Sequence, residues 1–216
     1  MLEGFTWFRQ SAFRWSDGER TVYIDPWGTS DDEPPADVVF ITHAHNDHLQ
    51  PREIDRLRSD RTKVVAPHDV ANELSGDVTP VAPGASYEVA GVRFATVPAY
   101  NVVEHRLRAH PKANGWVGYV IGLGGLRYYH AGDTDRLPEL EELDANVAFV
   151  PVGGGPFTMD PDEAGALVRA IQPSLAVPMH YGYIVGTSGD GERFRRAAAP
   201  VKVEELTPTN PFELED

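Results

Sequence analysis

Val38-Val39-Phe40-Ile41-Thr42-His43-Ala44-His45-Asn46-Asp47-His48 decides how the rest of the chain is read. Four uninterrupted apolar residues predict a strand buried on both faces, and polar chemistry begins where that strand ends. His43, His45, Asp47 and His48 place three imidazoles and a carboxylate within six residues, in a chain with only 8 histidines among 216 residues. A surface loop that is His-rich by accident does not account for that density directly after a buried strand. His43 and His45, two apart, project to one side of extended backbone, whereas Asp47 and His48 lie where the chain turns into the next element and can face a neighbouring centre. Two metal ions suit this pattern better than one.

Working outward, short β-rich runs at 5–9, 12–15 and 21–24, with Ser16-Asp17-Gly18 as a turn, predict a meander before the metal-type cluster. A helix is expected at 51–58, a strand at 63–65, a helix at 69–74, and further short strands up to Val97. Residues 115–121 and 126–129 flank Gly122-Leu123-Gly124-Gly125 as a hairpin. Leu137, Leu140 and Leu143 have helical spacing, and 147–150 reads as a strand. Asp160-Pro161-Asp162-Glu163 starts a helix: Asp160 can cap, Pro161 suits the first turn, and Glu163 stands three residues after the cap. Ala164, Leu167, Val168 and Ile171 then give one apolar face. A strand at 175–177 and a helix at 192–198 complete the pattern. Meanders followed by alternating strands and helices predict an α/β protein whose sheets are covered by helices, and no linker or repeat divides residues 1–216, so a single domain is expected.

Composition excludes several classes. There is no cysteine, so disulfides, thiolate catalysis and Cys-bound zinc are ruled out, and a metal must be held by His and carboxylate. The formal charge of −14 disfavours a nucleic-acid backbone as partner and an anionic membrane surface. No run of 18 apolar residues and no basic-then-apolar leader occurs at the N-terminus. A soluble cytoplasmic protein acting on a small molecule is therefore expected, with no nucleic-acid partner and no stable membrane insertion; oligomeric state is left open.

Further ligands should also follow apolar strands, because a rigid strand end positions a ligand better than a mobile loop. Two places qualify: Asp133, in Tyr129-His130-Ala131-Gly132-Asp133-Thr134-Asp135, and His180, in Val177-Pro178-Met179-His180-Tyr181-Gly182. Taken together, His-x-His-x-Asp-His, the later Gly-Asp-Thr and the final Pro-x-His-Tyr resemble the metallo-β-lactamase-fold hydrolases. Tyr23-Ile24-Asp25-Pro26, the segment 130–135, Gly154 to Met159 and 178–182 are similar to a compact branch of that superfamily related to ascorbate-6-phosphate lactonase and N-acyl-phosphatidylethanolamine phospholipase D.

The resemblance implies a four-layer αβ/βα sandwich of the metallo-β-lactamase type with a dinuclear centre at one edge. One ion would take His43, His45 and a third nitrogen, the other Asp47, His48 and His180, with Asp133 bridging. The third histidine of such a centre ordinarily follows a middle strand, at a position corresponding here to Asn101. His110 in the same loop is expected to replace it; His105, set among Glu104, Arg106 and Arg108, is the less suited candidate. Asp25 either accepts a hydrogen bond from a ligating imidazole, fixing its tautomer, or caps a turn before Pro26. His68 begins a helix and His130 lies in a strand, so both read as supporting or core residues. Gly153-Gly154-Gly155 lacks the Lys-Ser/Thr of a P-loop and reads as a tight strand exit. Phe157, Thr158, Met159 and Tyr181 are candidates for a pocket wall or for core.

The expected activity is hydrolysis of an ester, lactone or phosphodiester by water activated between two divalent ions, with zinc, manganese, nickel or iron all compatible with such ligands. Asp47 or Asp133 would orient the nucleophile, and His180 with Tyr181 would steady a developing oxyanion. The alternative is a metal-binding or interaction module that retains the fold without turnover, suggested by Asn101 standing where a ligand is expected.

Overall fold

A computed structural model describes residues 1–211. It divides into two compact units, one built from Leu2–Val81 together with the segment from Thr207, the other from Met1 and Ala82–Leu206.

The first unit contains a six-stranded mixed sheet in the order β1-β2-β3-β4-β5-β6. β1 (Phe5–Arg9), β2 (Ala12–Ser16) and β3 (Thr21–Ile24) form the expected antiparallel meander. β4 (Val38–Phe40), β5 (Lys63–Pro67) and β6 (Val78–Val81) add in parallel. Every residue of β3 and β4 is buried, which is why the sequence there runs apolar without alternation. α1 (Pro51–Leu57) and α2 (His68–Glu73) supply Ile54, Leu57 and Val70 to a core that also holds Phe8, Tyr23, Val39, Ile41 and Val64.

The second unit carries a six-stranded sheet in the order β12-β11-β10-β9-β8-β7. β7 (Ser86–Val89), β8 (Val92–Pro98), β9 (Val117–Leu123) and β10 (Leu126–His130) form an antiparallel meander. β11 (Val147–Pro151) and β12 (Leu175–Met179) continue in parallel with β10. β8 and β10 are both antiparallel to β9, so the chain leaves β8, β10, β11 and β12 at one end of the sheet. Asn101, Asp133, Gly153 and His180 follow those four strands, and an open α/β sheet binds ligands at this end.

α3 (Pro161–Ile171) begins with the expected capping box: Asp160 accepts from the Asp162 and Glu163 backbone amides, and Glu163 Oε2 accepts from the Asp160 amide at 2.9 Å. α3 buries Ala164, Leu167, Val168 and Ile171, and α4 (Asp190–Ala198) starts two residues earlier than the spacing suggests. Asp160→Ala is expected to cost about 1 kcal/mol, lowering Tm by roughly 2–4 °C for a chain of this size; calorimetry checks this. Leu137, Leu140 and Leu143 do not make a full helix. Only one 3-10 turn, Pro138–Leu140, forms. Leu137 and Leu140 are already fully buried by that turn, and the chain must straighten to enter β11 at Val147. Among the described residues no helix is long and apolar enough to cross a membrane.

Candidate metal centre

In the first unit the ligand-type cluster leaves the end of β4, and one carboxylate organises it. Asp25 follows β3 in a left-handed conformation, φ 46°, rare for a residue with a side chain. It is fully buried. Its Oδ1 accepts from the Thr42 amide at 2.8 Å, and its Oδ2 accepts from the Thr42 hydroxyl at 2.7 Å and faces His48 Nδ1 at 2.6 Å. Ionised Asp25 offers only lone pairs, so His48 carries its proton on Nδ1 and presents a lone pair on Nε2. The Thr42 hydroxyl spends its one proton on Asp25 and so accepts from His43 Nδ1, 2.9 Å away. His43 is thereby set in the same tautomer.

Those two Nε2 atoms face other acceptors or ring nitrogens. His48 Nε2 lies 3.6 Å from Asp47 Oδ2, and His43 Nε2 lies 3.1 Å from His45 Nδ1. The His43 and His48 rings are centred 3.9 Å apart. Asp25 therefore orients imidazoles, as the first of its two readings had it, and Thr42 is a positioning residue that the sequence reading missed. Its signal lay in its place: the one residue between a buried strand and the first histidine.

The second unit repeats this design. Asn101 Nδ2 donates to the Phe157 carbonyl at 3.0 Å, which leaves Asn101 Oδ1 to accept from His110 Nδ1 at 2.8 Å. His110, fully buried, thus has its proton on Nδ1 and turns the lone pair of Nε2 toward Asp133 Oδ2 at 3.5 Å. His180 Nε2 stands 3.2 Å from the same oxygen. Asp133 follows Gly132, whose φ of 61° makes the turn out of β10. His180 has φ 56°, a strained conformation of the kind concentrated at functional sites. Gly153 lets β11 exit close by: a Cβ there would fall 2.3 Å from the His180 carbonyl oxygen. The triple glycine is a tight strand exit, as expected.

His105 is exposed, unlike His110. The loop between them is braced: Asp135 Oδ2 accepts from the Val102 and Val103 amides at 2.7 and 2.8 Å, and Arg106 Nη1 donates to Asp135 and Glu163 at 2.8 and 2.7 Å. Burial disfavours the charged guanidinium, but the two carboxylates outweigh it and hold its pKa above the ordinary value. His68 opens α2 and is exposed, and His130 ends β10, buried, with Nδ1 accepting from the Gly132 amide. Thr158 and Met159 are fully buried. The Tyr181 phenol lies near Glu205, against the position a Gly191 Cβ would take, and burial pushes its pKa up to about 12. The hydroxyl therefore stands beside Gly191 of α4.

The donor set fits divalent metal ions. Three imidazoles whose Nδ1 atoms are engaged turn Nε2 toward carboxylate oxygens or another ring nitrogen, an arrangement that a divalent cation would favour. Against known proteins, the profile of the beta-lactamase superfamily domain matches residues 4–180. A UPF0173 metal-dependent hydrolase of Thermococcus onnurineus is 34% identical over 197 residues, covering 83% of this chain and 85% of that protein. The chain belongs to the UPF0173 metal-dependent hydrolases. A second relative under that name, from Methanoculleus marisnigri, is 34% identical over 97% of this chain and 96% of its own.

The fold is that of the metallo-β-lactamase superfamily. Igni18, a metallo hydrolase from Ignicoccus hospitalis, superimposes with a TM-score of 0.78 at 26% identity and 98% coverage of both chains. This UPF0173 hydrolase is metal-dependent, and its His and Asp ligand types fall into two groups.

Proposed function

We propose that this UPF0173 protein hydrolyses an ester, lactone or phosphodiester of a small molecule at a centre of two divalent ions. The observation that carries the reading is the set of three imidazoles, His43, His48 and His110, whose Nδ1 protons are all spent on Thr42, Asp25 and Asn101. The first unit offers His43, His45, Asp47 and His48 as ligand types and the second His110, Asp133 and His180; the resemblance would give His43, His45 and His110 to one ion and Asp47, His48 and His180 to the other. Asp133 would be the carboxylate shared between the ions, a role supported by the approach of its Oδ2 to the Nε2 atoms of both His110 and His180. Bound there, divalent ions supply Lewis acidity and lower the pKa of water. Asp47 or Asp133 would orient the attacking water by accepting its hydrogen bond, and His180, in its left-handed backbone conformation, would steady the developing charge.

Zinc is the proposed metal, with manganese, nickel or iron also suited to imidazole and carboxylate. The motifs at 23–26, 130–135 and 178–182 support kinship with the branch that includes ascorbate-6-phosphate lactonase and N-acyl-phosphatidylethanolamine phospholipase D. The charge of −14 favours a small, weakly charged substrate over nucleic acid, and the proposed setting is the cytoplasm. Asn101, the residue that suggested a module without turnover, has a different use here: it orients His110.

The test combines metal analysis with turnover of γ-butyrolactone, 4-nitrophenyl acetate and bis(4-nitrophenyl) phosphate. Two ions per chain, one lost in His43→Ala, and hydrolysis of at least one probe are expected. A purified protein that takes up no divalent ion overturns the reading.

A further inference from the structure

The hairpin joining β1 to β2 has its tip at Gln10 and Ser11, and both are fully buried, although connections ordinarily run over the surface. Gln10 is held left-handed, φ 44°, and its carbonyl accepts from the Trp7 indole at 2.9 Å. Its side-chain Nε2 and Oε1 have no hydrogen-bond partner among the described residues. A buried carboxamide is costly when unsatisfied and is paired as a rule, so one with neither atom engaged points to a ligand that supplies the missing bonds.

The sheet register says at which end of the sheet that hairpin tip stands. Phe13 pairs with Ile24, and Ile24 with Phe40. The residues just before Phe13 therefore lie at the end of the sheet where Asp25, Thr42 and His43 emerge. Gln10 shares that end but takes no part in the hydrogen bonds that Asp25 organises.

We propose that Gln10 is a substrate-binding residue whose carboxamide holds an uncharged carbonyl or hydroxyl beside the scissile bond. This rests on the hydrolase reading above and narrows it. A neutral amide offers one donor group and one acceptor and carries no charge, so it matches an ester or lactone. Phosphate oxygens are recognised most strongly by Arg and Lys. Gln10 thus selects carboxylic esters and lactones over phosphodiesters.

Gln10→Leu keeps the bulk of the side chain and removes both polar atoms. Measured on the metal-loaded protein, it should raise KM for γ-butyrolactone about tenfold, the loss of one hydrogen bond. Bound metal should stay unchanged, kcat/KM for bis(4-nitrophenyl) phosphate should fall by less than that for the lactone, and Tm should be equal or higher because an unsatisfied amide is gone. Gln10→Asn, which keeps the amide on a shorter stem, should restore part of the lactone affinity. An unchanged lactone KM, or an equal loss on both probes, overturns the proposal. A second arm needs no turnover: γ-butyrolactone at high concentration should raise Tm of the metal-free wild type but not of Gln10→Leu. If neither probe is hydrolysed by protein carrying two ions, the hydrolase reading fails, and this arm decides Gln10 alone. Equal shifts, or none in the wild type, then overturn the role assigned to it.

Discussion

Asp133→Ala is expected to lose hydrolysis entirely while keeping its fold. The carboxylate is buried, 3% exposed, and faces imidazole nitrogens at 3.2 and 3.5 Å. A ligand shared by two ions contributes its negative charge to both, so its removal should lower metal affinity by more than the ~10–100-fold seen for groups that merely support a ligand. The sheet does not depend on it, because β10 is held by its ladders to β9 and β11. Thermal unfolding separates the two effects. Metal at about 100 times Kd should stabilise the wild type by ~2.7 kcal/mol, a rise of roughly 5–11 °C. Metal-free Asp133→Ala should unfold at or above the metal-free wild-type temperature, since a buried carboxylate is gone, and should show no rise on adding metal. A variant that still binds two ions and hydrolyses at the wild-type rate would rule out the bridging role.

How much of this was legible in the sequence depended on the range of the interactions involved. The run from Val38 to His48 could be read because burial on both faces and the histidine spacing are local properties, and strand ends carried the same logic to Asp133 and His180. Thr42 was missed because its role is set by Asp25, 17 residues earlier, which takes the hydroxyl proton and leaves the oxygen to accept from His43. The surroundings of Tyr181 were not legible for the same reason: its phenol is buried near Glu205 and Gly191, neighbours set by the fold and not by adjacency to His180. The leucines at 137, 140 and 143 kept helical spacing with too little chain before β11 to use it.

Asn101 is the position where sequence and structure differ most in meaning. As a residue type it interrupts a ligand pattern. In the folded chain its backbone amide donates to the His110 carbonyl, and its side chain fixes the His110 ring. His110→Ala should therefore reduce affinity at one centre by more than the ~10–100-fold lost with a supporting group, as befits a lost ligand. Asn101→Leu should cost ~10–100-fold without removing any ligand atom, because His110 then loses the acceptor that keeps its proton on Nδ1. His105→Ala, at an exposed position, should leave metal content unchanged. Titrating each variant against a competing chelator orders them: His110→Ala weakest, Asn101→Leu intermediate, His105→Ala equal to wild type. If His110→Ala stays fully loaded while Asn101→Leu does not, Asn101 is itself the ligand and His110 only supports it. If His105→Ala alone loses metal, the loop must open its Asp135 and Arg106 brace to bind, because that brace holds His110 inside and His105 out.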